Sequence, residues 1–151
     1  MAVKETSARR VTPPSISDFI ATVRETFAFL GRFGFREVAA PAHRAGNPFQ
    51  IWFAAGDRFV VVAGEGYGTM ASVTLEHDGR ELPEIDLVPV DERPVATRRR
   101  KSSPGQLEQL RKAAARLERY GGDFLGGDLS RFHQKAKPLA PYKSAPGGRG
   151  G

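Results

Sequence analysis

Between residues 49 and 77 the chain repeats one pattern, a run of β-branched and aromatic residues, a glycine-bearing turn, then another run. Residues 49–55 and 58–64 are separated by Gly56-Asp57, and a two-residue spacer with glycine first fits a tight hairpin. Residues 69–77 form a further run, reached through Glu65-Gly66-Tyr67-Gly68. Asp78-Gly79 then turns the chain into a short edge segment over 80–85. Residues 35–40 add a weak strand ahead of a breaker-rich loop at 41–48. Consecutive hairpins of this kind make an antiparallel meander, here of about four strands.

Helical periodicity flanks the meander. Ile16, Phe19, Ile20, Val23, Phe27 and Leu30 share one helical face, with Ser15 and Asp18 at capping-box spacing and Gly31 and Gly34 as stops. A second helix is expected with Ser103 as N-cap and Pro104 in its first turn. Leu107, Leu110, Ala114 and Leu117 are its apolar stripe, and Gly121 its end. Asp128 is placed to cap a short last helix bearing Leu129 and Phe132. The expected fold is therefore α+β, with an N-terminal helix, the meander, and a C-terminal helix packing on one face of the sheet. The domain spans 15–134, with a basic tail over 1–14, an internal basic linker over 93–103, and a Pro/Gly/Lys-rich tail over 135–151. Both tails are expected to be disordered.

Strand alternation sorts the side chains into two faces. Two-residue turns at Gly56-Asp57 and Gly66-Tyr67 put Phe53 opposite Val60 and Ile51 opposite Val62. The same register puts Val60 opposite Val73, Val62 opposite Ala71 and Leu75 opposite Arg58. That face, joined by Phe49, is the expected core. The other face carries Trp52 beside Val61, Ala54 beside Phe59 and Ala63 beside Met70, then Ser72, Thr74 and Glu76. Trp52, Phe59, Val61 and Met70 form an aromatic patch with a polar rim, a composition typical of partner surfaces. Either this patch is open, or the second helix or residues 86–95 cover it.

Composition excludes several function classes. The chain has no cysteine, so disulfides, thiol catalysis and thiolate metal sites are absent. No apolar run approaches the roughly 18–20 residues of a membrane span, and the first residues lack a secretory pattern. A cytoplasmic location is the resulting expectation. Residues 15–95 carry seven basic and twelve acidic side chains, a net −5, whereas 96–151 carry thirteen basic and four acidic, a net +9. An acidic body with basic flanks points to charged partners. Arg98, Arg99, Arg100 and Lys101 form the densest run, and Arg111, Lys112, Arg116 and Arg119 continue it onto the second helix. Such a run neutralises phosphates.

No constellation for catalysis stands out. Glycines 64, 66 and 68 resemble a phosphate loop, but a dinucleotide loop needs a helix directly after it, and a strand follows here. His43, His77 and His133 lack a metal-ligand spacing, and the Glu76-His77-Asp78 hairpin end reads as solvated. No GxSxG elbow occurs. A non-enzyme without metal or cofactor is the expectation.

Phe27-Ala28-Phe29-Leu30 followed by Gly34-Phe35, then a strand meander, resembles the opening of a loosely defined group of small bacterial proteins of unassigned function. That group closes with a helix, a Tyr-Gly pair, a Leu-Gly-Asp step and a Phe. Here the close reads Tyr120-Gly121, Leu125-Gly126-Gly127-Asp128 and Phe132, with one extra glycine. The resemblance covers roughly 18–133 and implies an immunity-protein-like size and layout. The expected function is a non-catalytic protein-binding module, in one form an immunity-type inhibitor of a protein toxin, with another protein as partner. Nucleic acid, or an acidic complex, bound through 98–119 and the tails is the alternative. Oligomeric state stays open.

Overall fold

The computed structural model describes residues 14–66, 68–93 and 105–139. Strand β1 (Arg36–Val38) starts a sheet continued by β2 (Gln50–Ala55), β3 (Arg58–Glu65), β4 (Met70–His77) and β5 (Arg80–Pro83). A sixth strand, β6 (Lys137–Pro138), returns after the last helix to pair with β5. All neighbours are antiparallel and the order is sequential, β1 to β6. The expected α+β meander is present, but about four strands was an undercount. The sixth lies in a Lys- and Pro-rich stretch assigned to the C-terminal tail, where composition hid two residues that pair with Arg80 and Glu81.

Helix α1 (Ile16–Thr26) begins where the capping pattern put it, with the Asp18 amide donating to Ser15 Oγ at 3.0 Å. It ends earlier than its apolar stripe. At Phe27 the backbone leaves α geometry, and a 3₁₀ turn over Ala28–Phe33 follows. Gly34 stops that turn in the left-handed region at φ +86°. Helix α2 (Gln106–Tyr120) has Gly105, with no side-chain cap, at its N-cap position. The expected cap Ser103 and Pro104 lie outside the described residues, as do Arg98, Arg99, Arg100, Lys101 and most of the 93–103 linker. Short helices α3 (Gly122–Gly126) and α4 (Ser130–Lys135) follow. Asp128 holds the entry to α4 by accepting from the Ser130 amide at 3.1 Å, and this bond keeps its carboxyl below the usual range.

The turn at Gly56-Asp57 has two residues and sets β2–β3 in the expected register, with Phe53 opposite Val60 and Ile51 opposite Val62. Between β3 and β4 the loop has four residues, so Glu65 meets Met70 and Val60 meets Leu75. Met70 is therefore opposite Glu65, not Ala63. Val62 meets Val73, and Arg58 meets His77. The register moves by two, and because strand side chains alternate with period two, every residue keeps its expected face. Ile51, Phe53, Val60, Val62, Val73, Leu75 and Leu82 form the core with Phe19, Val23, Phe27 and Leu30 on one flank and Leu110, Leu117, Phe124, Leu125 and Phe132 on the other. The helices thus share one face of the sheet.

Two polar devices fasten the helical layer. Arg116 of α2 grips the buried Glu84 with Nε and Nη2, the shortest contact being 2.6 Å. Burial pushes the Glu84 carboxyl up, and Arg116 opposes that shift only in part. Gln106 enters the sheet opposite Gly64, where a Cβ would lie 2.5 Å from its amide nitrogen, and donates to the Met70 carbonyl at 2.7 Å.

A carboxyl whose pKa is higher folded than unfolded stabilises most when protonated, and loses that contribution as pH rises through the folded value. Arg116→Met strands the Glu84 charge and is expected to cost about 3–5 kcal/mol near neutral pH. Below the carboxylate range Glu84 carries a proton and the loss should shrink. Urea unfolding of both proteins at the two pH values checks this. Equal losses at both would assign Arg116 to packing alone.

Candidate functional site

On the sheet face away from the helices, the strand pairings set side chains in rows. One row runs Arg36, Ala54, Phe59, Glu76, Glu81, Lys137. The next runs Val38, Trp52, Val61, Thr74, Pro83. A third holds Gln50, Ala63 and Ser72, and a fourth Glu65 and Met70. All four residues expected in the aromatic patch, Trp52, Phe59, Val61 and Met70, are on this face.

They do not make an open patch. Trp52 is only 3% exposed and Val61 7%, Phe59 is half-buried, and Met70 alone is well exposed at 55%. The helices, α2 among them, pack on the opposite face, and of the expected 86–95 cover residues 94 and 95 lie outside the described residues. Among the described residues, cover comes from the 41–49 connection, whose 3₁₀ turn Ala42–Arg44 carries Arg44 over the indole, with Cζ 4.7 Å from the ring centroid. Phe59 packs edge-on against Trp52 at 5.7 Å. The expectation of Trp52 as an exposed anchor is corrected: a cation stacked on the indole and strands on either side take its surface from water.

The connection is held down by an amide network. Gln50 donates to the Arg44 carbonyl at 3.0 Å and accepts from Trp52 Nε1 at 2.5 Å. Asn47 donates to the Gly64 carbonyl at 3.1 Å and accepts from the Phe49 amide at 2.9 Å. So placed, Arg44 makes a fork-to-fork pair with Glu76, Nη1 to Oε1 at 3.1 Å and Nη2 to Oε2 at 2.6 Å. Glu76 is buried, and Glu81 stands directly across from it on β5. Two acids directly opposed on one face repel. Arg44 relieves Glu76, whereas Glu81 has no cation within ion-pair distance among the described residues.

Between the connection and β3–β5 lies a hollow of about 400 Å³, with Val61 and Ala63 at its floor, Ser72 and Thr74 beside them, and Glu65 and Glu81 at its margins. A larger hollow, about 700 Å³, lies between Pro14, Pro48, Phe49 and Gly64. Its lining is apolar, whereas polar groups converge on the open-face hollow.

The basic candidates are dispersed in their roles. Arg116 is committed to Glu84, Arg111 approaches Glu108 at 3.7 Å, and Arg119 stacks on Tyr120 at 5.1 Å. Lys112 is exposed. Of the histidines, His77 is not the solvated hairpin residue expected. It meets Asp57 at 3.2 Å and packs against His133 and Phe132. Among the described residues no group of three His, Cys, Asp or Glu could hold a metal ion. The glycines act in chain geometry, with Gly66 and Gly68 at positive φ in a loop followed by a strand. Among the described residues no helix is long and apolar enough to cross a membrane.

Sequence reasoning put Glu76, Ser72 and Thr74 on the right face but passed over Gln50, whose alternation with Trp52 marks its face, and missed Arg44 and Asn47, because loop residues have no periodicity to betray their direction. Comparison with family models, curated proteins and solved structures returned no match.

Trp52→Ala is expected to lower stability by about 3–5 kcal/mol, as for truncation of a core aromatic residue. Arg44→Ala should also destabilise, by leaving the Glu76 charge buried and unpaired. Denaturant unfolding with tryptophan-independent detection measures both. A Trp52→Ala loss under 1 kcal/mol would contradict the burial described above.

Proposed function

We propose that the chain is a non-catalytic protein-binding module, in form an immunity-type inhibitor of a protein toxin, that receives a basic segment of its partner on the open face of the sheet. The observation that carries this reading is the open-face hollow: the helices all pack on the opposite face, and polar groups line a concavity that the 41–49 connection only borders. Charge supports a basic occupant. Glu65 and Glu81 stand at the margins, and residues 15–95 carry a net −5. Complementary charge steers such partners and fixes their register.

The anchors differ from those the sequence offers. Met70 and the half-buried Phe59 remain accessible, whereas Trp52 and Val61 supply a rigid floor. The segment's cation would fall beside Glu81, and its aliphatic stem over Val61 and Ala63.

The test is an affinity pull-down from the native host after nuclease treatment, at two salt concentrations, with three baits. Wild-type protein is expected to retain one basic protein. Ser72→Arg, which fills the hollow, and Glu81→Lys, which reverses its charge, are expected to lose it while still unfolding cooperatively as folded proteins. Retention of the same partner by both variants, or loss of all partners on nuclease treatment, would overturn the reading.

A further inference from the structure

On the helical side of the molecule, α2 turns a different surface outward. Lys112, Arg116 and Arg119 are spaced i, i+4 and i+7, so they share one stripe. Ala115 lies among them and, having no bulk, leaves a hollow of about 340 Å³ bordered by Val88, Glu92 and Tyr120. Arg116 is fixed in place by Glu84, and its bonds use Nε and Nη2, leaving Nη1 uncommitted among the described residues. Lys112 and Arg119 have no carboxylate within ion-pair distance among the described residues. The Arg119 guanidinium stacks on the Tyr120 ring, and the Tyr120 hydroxyl donates to Glu92. That bond holds the phenol proton, raising the Tyr120 pKa, and occupies Glu92, the one acid of the hollow among the described residues.

We propose that this stripe binds the phosphodiester backbone of a single-stranded nucleic acid. From Lys112 to Arg119 the helix rises about 10 Å, at about 1.5 Å per residue. At about 3.4 Å per phosphate along a strand, that length covers about three intervals, so the stripe runs beside about four successive phosphates. A line of cations fits a linear polyanion, and the exposed Arg119 guanidinium, backed by the Tyr120 ring, presents a plane on which a base can stack. A nucleic acid carries a charge and a planar base at every nucleotide, whereas an acidic peptide combines the two only where its sequence supplies both, which is why nucleic acid is the occupant favoured. This surface is separate from the open sheet face, so either proposal can fail without the other.

The experiment is fluorescence anisotropy of a labelled mixed-sequence single-stranded oligonucleotide with the full chain, over a series of salt concentrations. Wild-type binding is expected to weaken linearly on a log–log plot. Lys112→Ala combined with Arg119→Gln removes two phosphate contacts and should reduce the slope by about 1.4, at about 0.7 per contact on a single strand. Arg80→Gln, an exposed arginine on β5, should leave the slope unchanged. Glu92→Gln should tighten binding by removing the acid beside the cations. The proposal is overturned if wild-type protein does not bind, if the double variant keeps the wild-type slope, or if a polyglutamate peptide competes through the same residues as well as the oligonucleotide does. Thermal unfolding of each variant confirms that exposed positions alone were altered, and Glu92→Gln tests the site independently of the double variant.

Discussion

Alternation along three strands decides how this molecule is built. Ile51 and Phe53, Val60 and Val62, and Val73 and Leu75 point one way, and the helices have one apolar surface to bury them under. With all the helical cover on that side, the other side of the sheet must make its own terms with water. It does so with a loop. The 41–49 connection sets a guanidinium on an indole and gives that guanidinium a carboxylate, so three side chains from three elements protect one another. Apolar burial supports one face of the sheet, and a cation–π contact with a buried ion pair finishes the other.

The two buried ion pairs divide the same labour. Arg116–Glu84 joins α2 to the 3₁₀ turn Glu84–Leu87 after β5, and Arg44–Glu76 joins the 41–49 connection to β4. In each, the arginine is partly exposed and the glutamate buried. The arginine therefore reaches solvent through its stem, while the carboxylate depends on its fork for compensation. Such pairs add little net stability compared with an apolar isostere, but they punish misplacement of either element. Arg24–Glu37, on the exposed surface, is a weaker version of the same arrangement, and Arg24's bond lowers the Glu37 pKa.

Much of this was legible in the chain itself. Ser15 announces α1 because a hydroxyl before an apolar-periodic run has one useful thing to do. Gly56-Asp57 fixes β2 against β3 because a two-residue turn allows no slack. The Gly66–Thr69 loop has more slack, and the register there differs by two from the simplest reading, yet the faces survive because two is the period of a strand. What the sequence could not show is where non-periodic residues point. Arg44 comes from a loop, and its contact with Trp52 depends on the Asn47 and Gln50 amides folding that loop back. Gln106 occupies space that Gly64 vacates, a fit visible only once both are placed. Lys137 and Pro138 pair as a strand within a composition that belongs to tails.

That last strand reaches β5 only after α2, α3 and α4 have been traversed. The first five strands join sequence neighbours, so they can assemble from local contacts, whereas β6 closes the sheet across a long separation. Until it docks, the outer backbone of Arg80–Pro83 is an unpaired edge, a template for strands of other molecules. Once docked, Pro138 supplies no amide hydrogen to extend the ladder further. A chain cut just before Lys137 would keep its helices and most of its core, and lose the guard that keeps its sheet from recruiting neighbours.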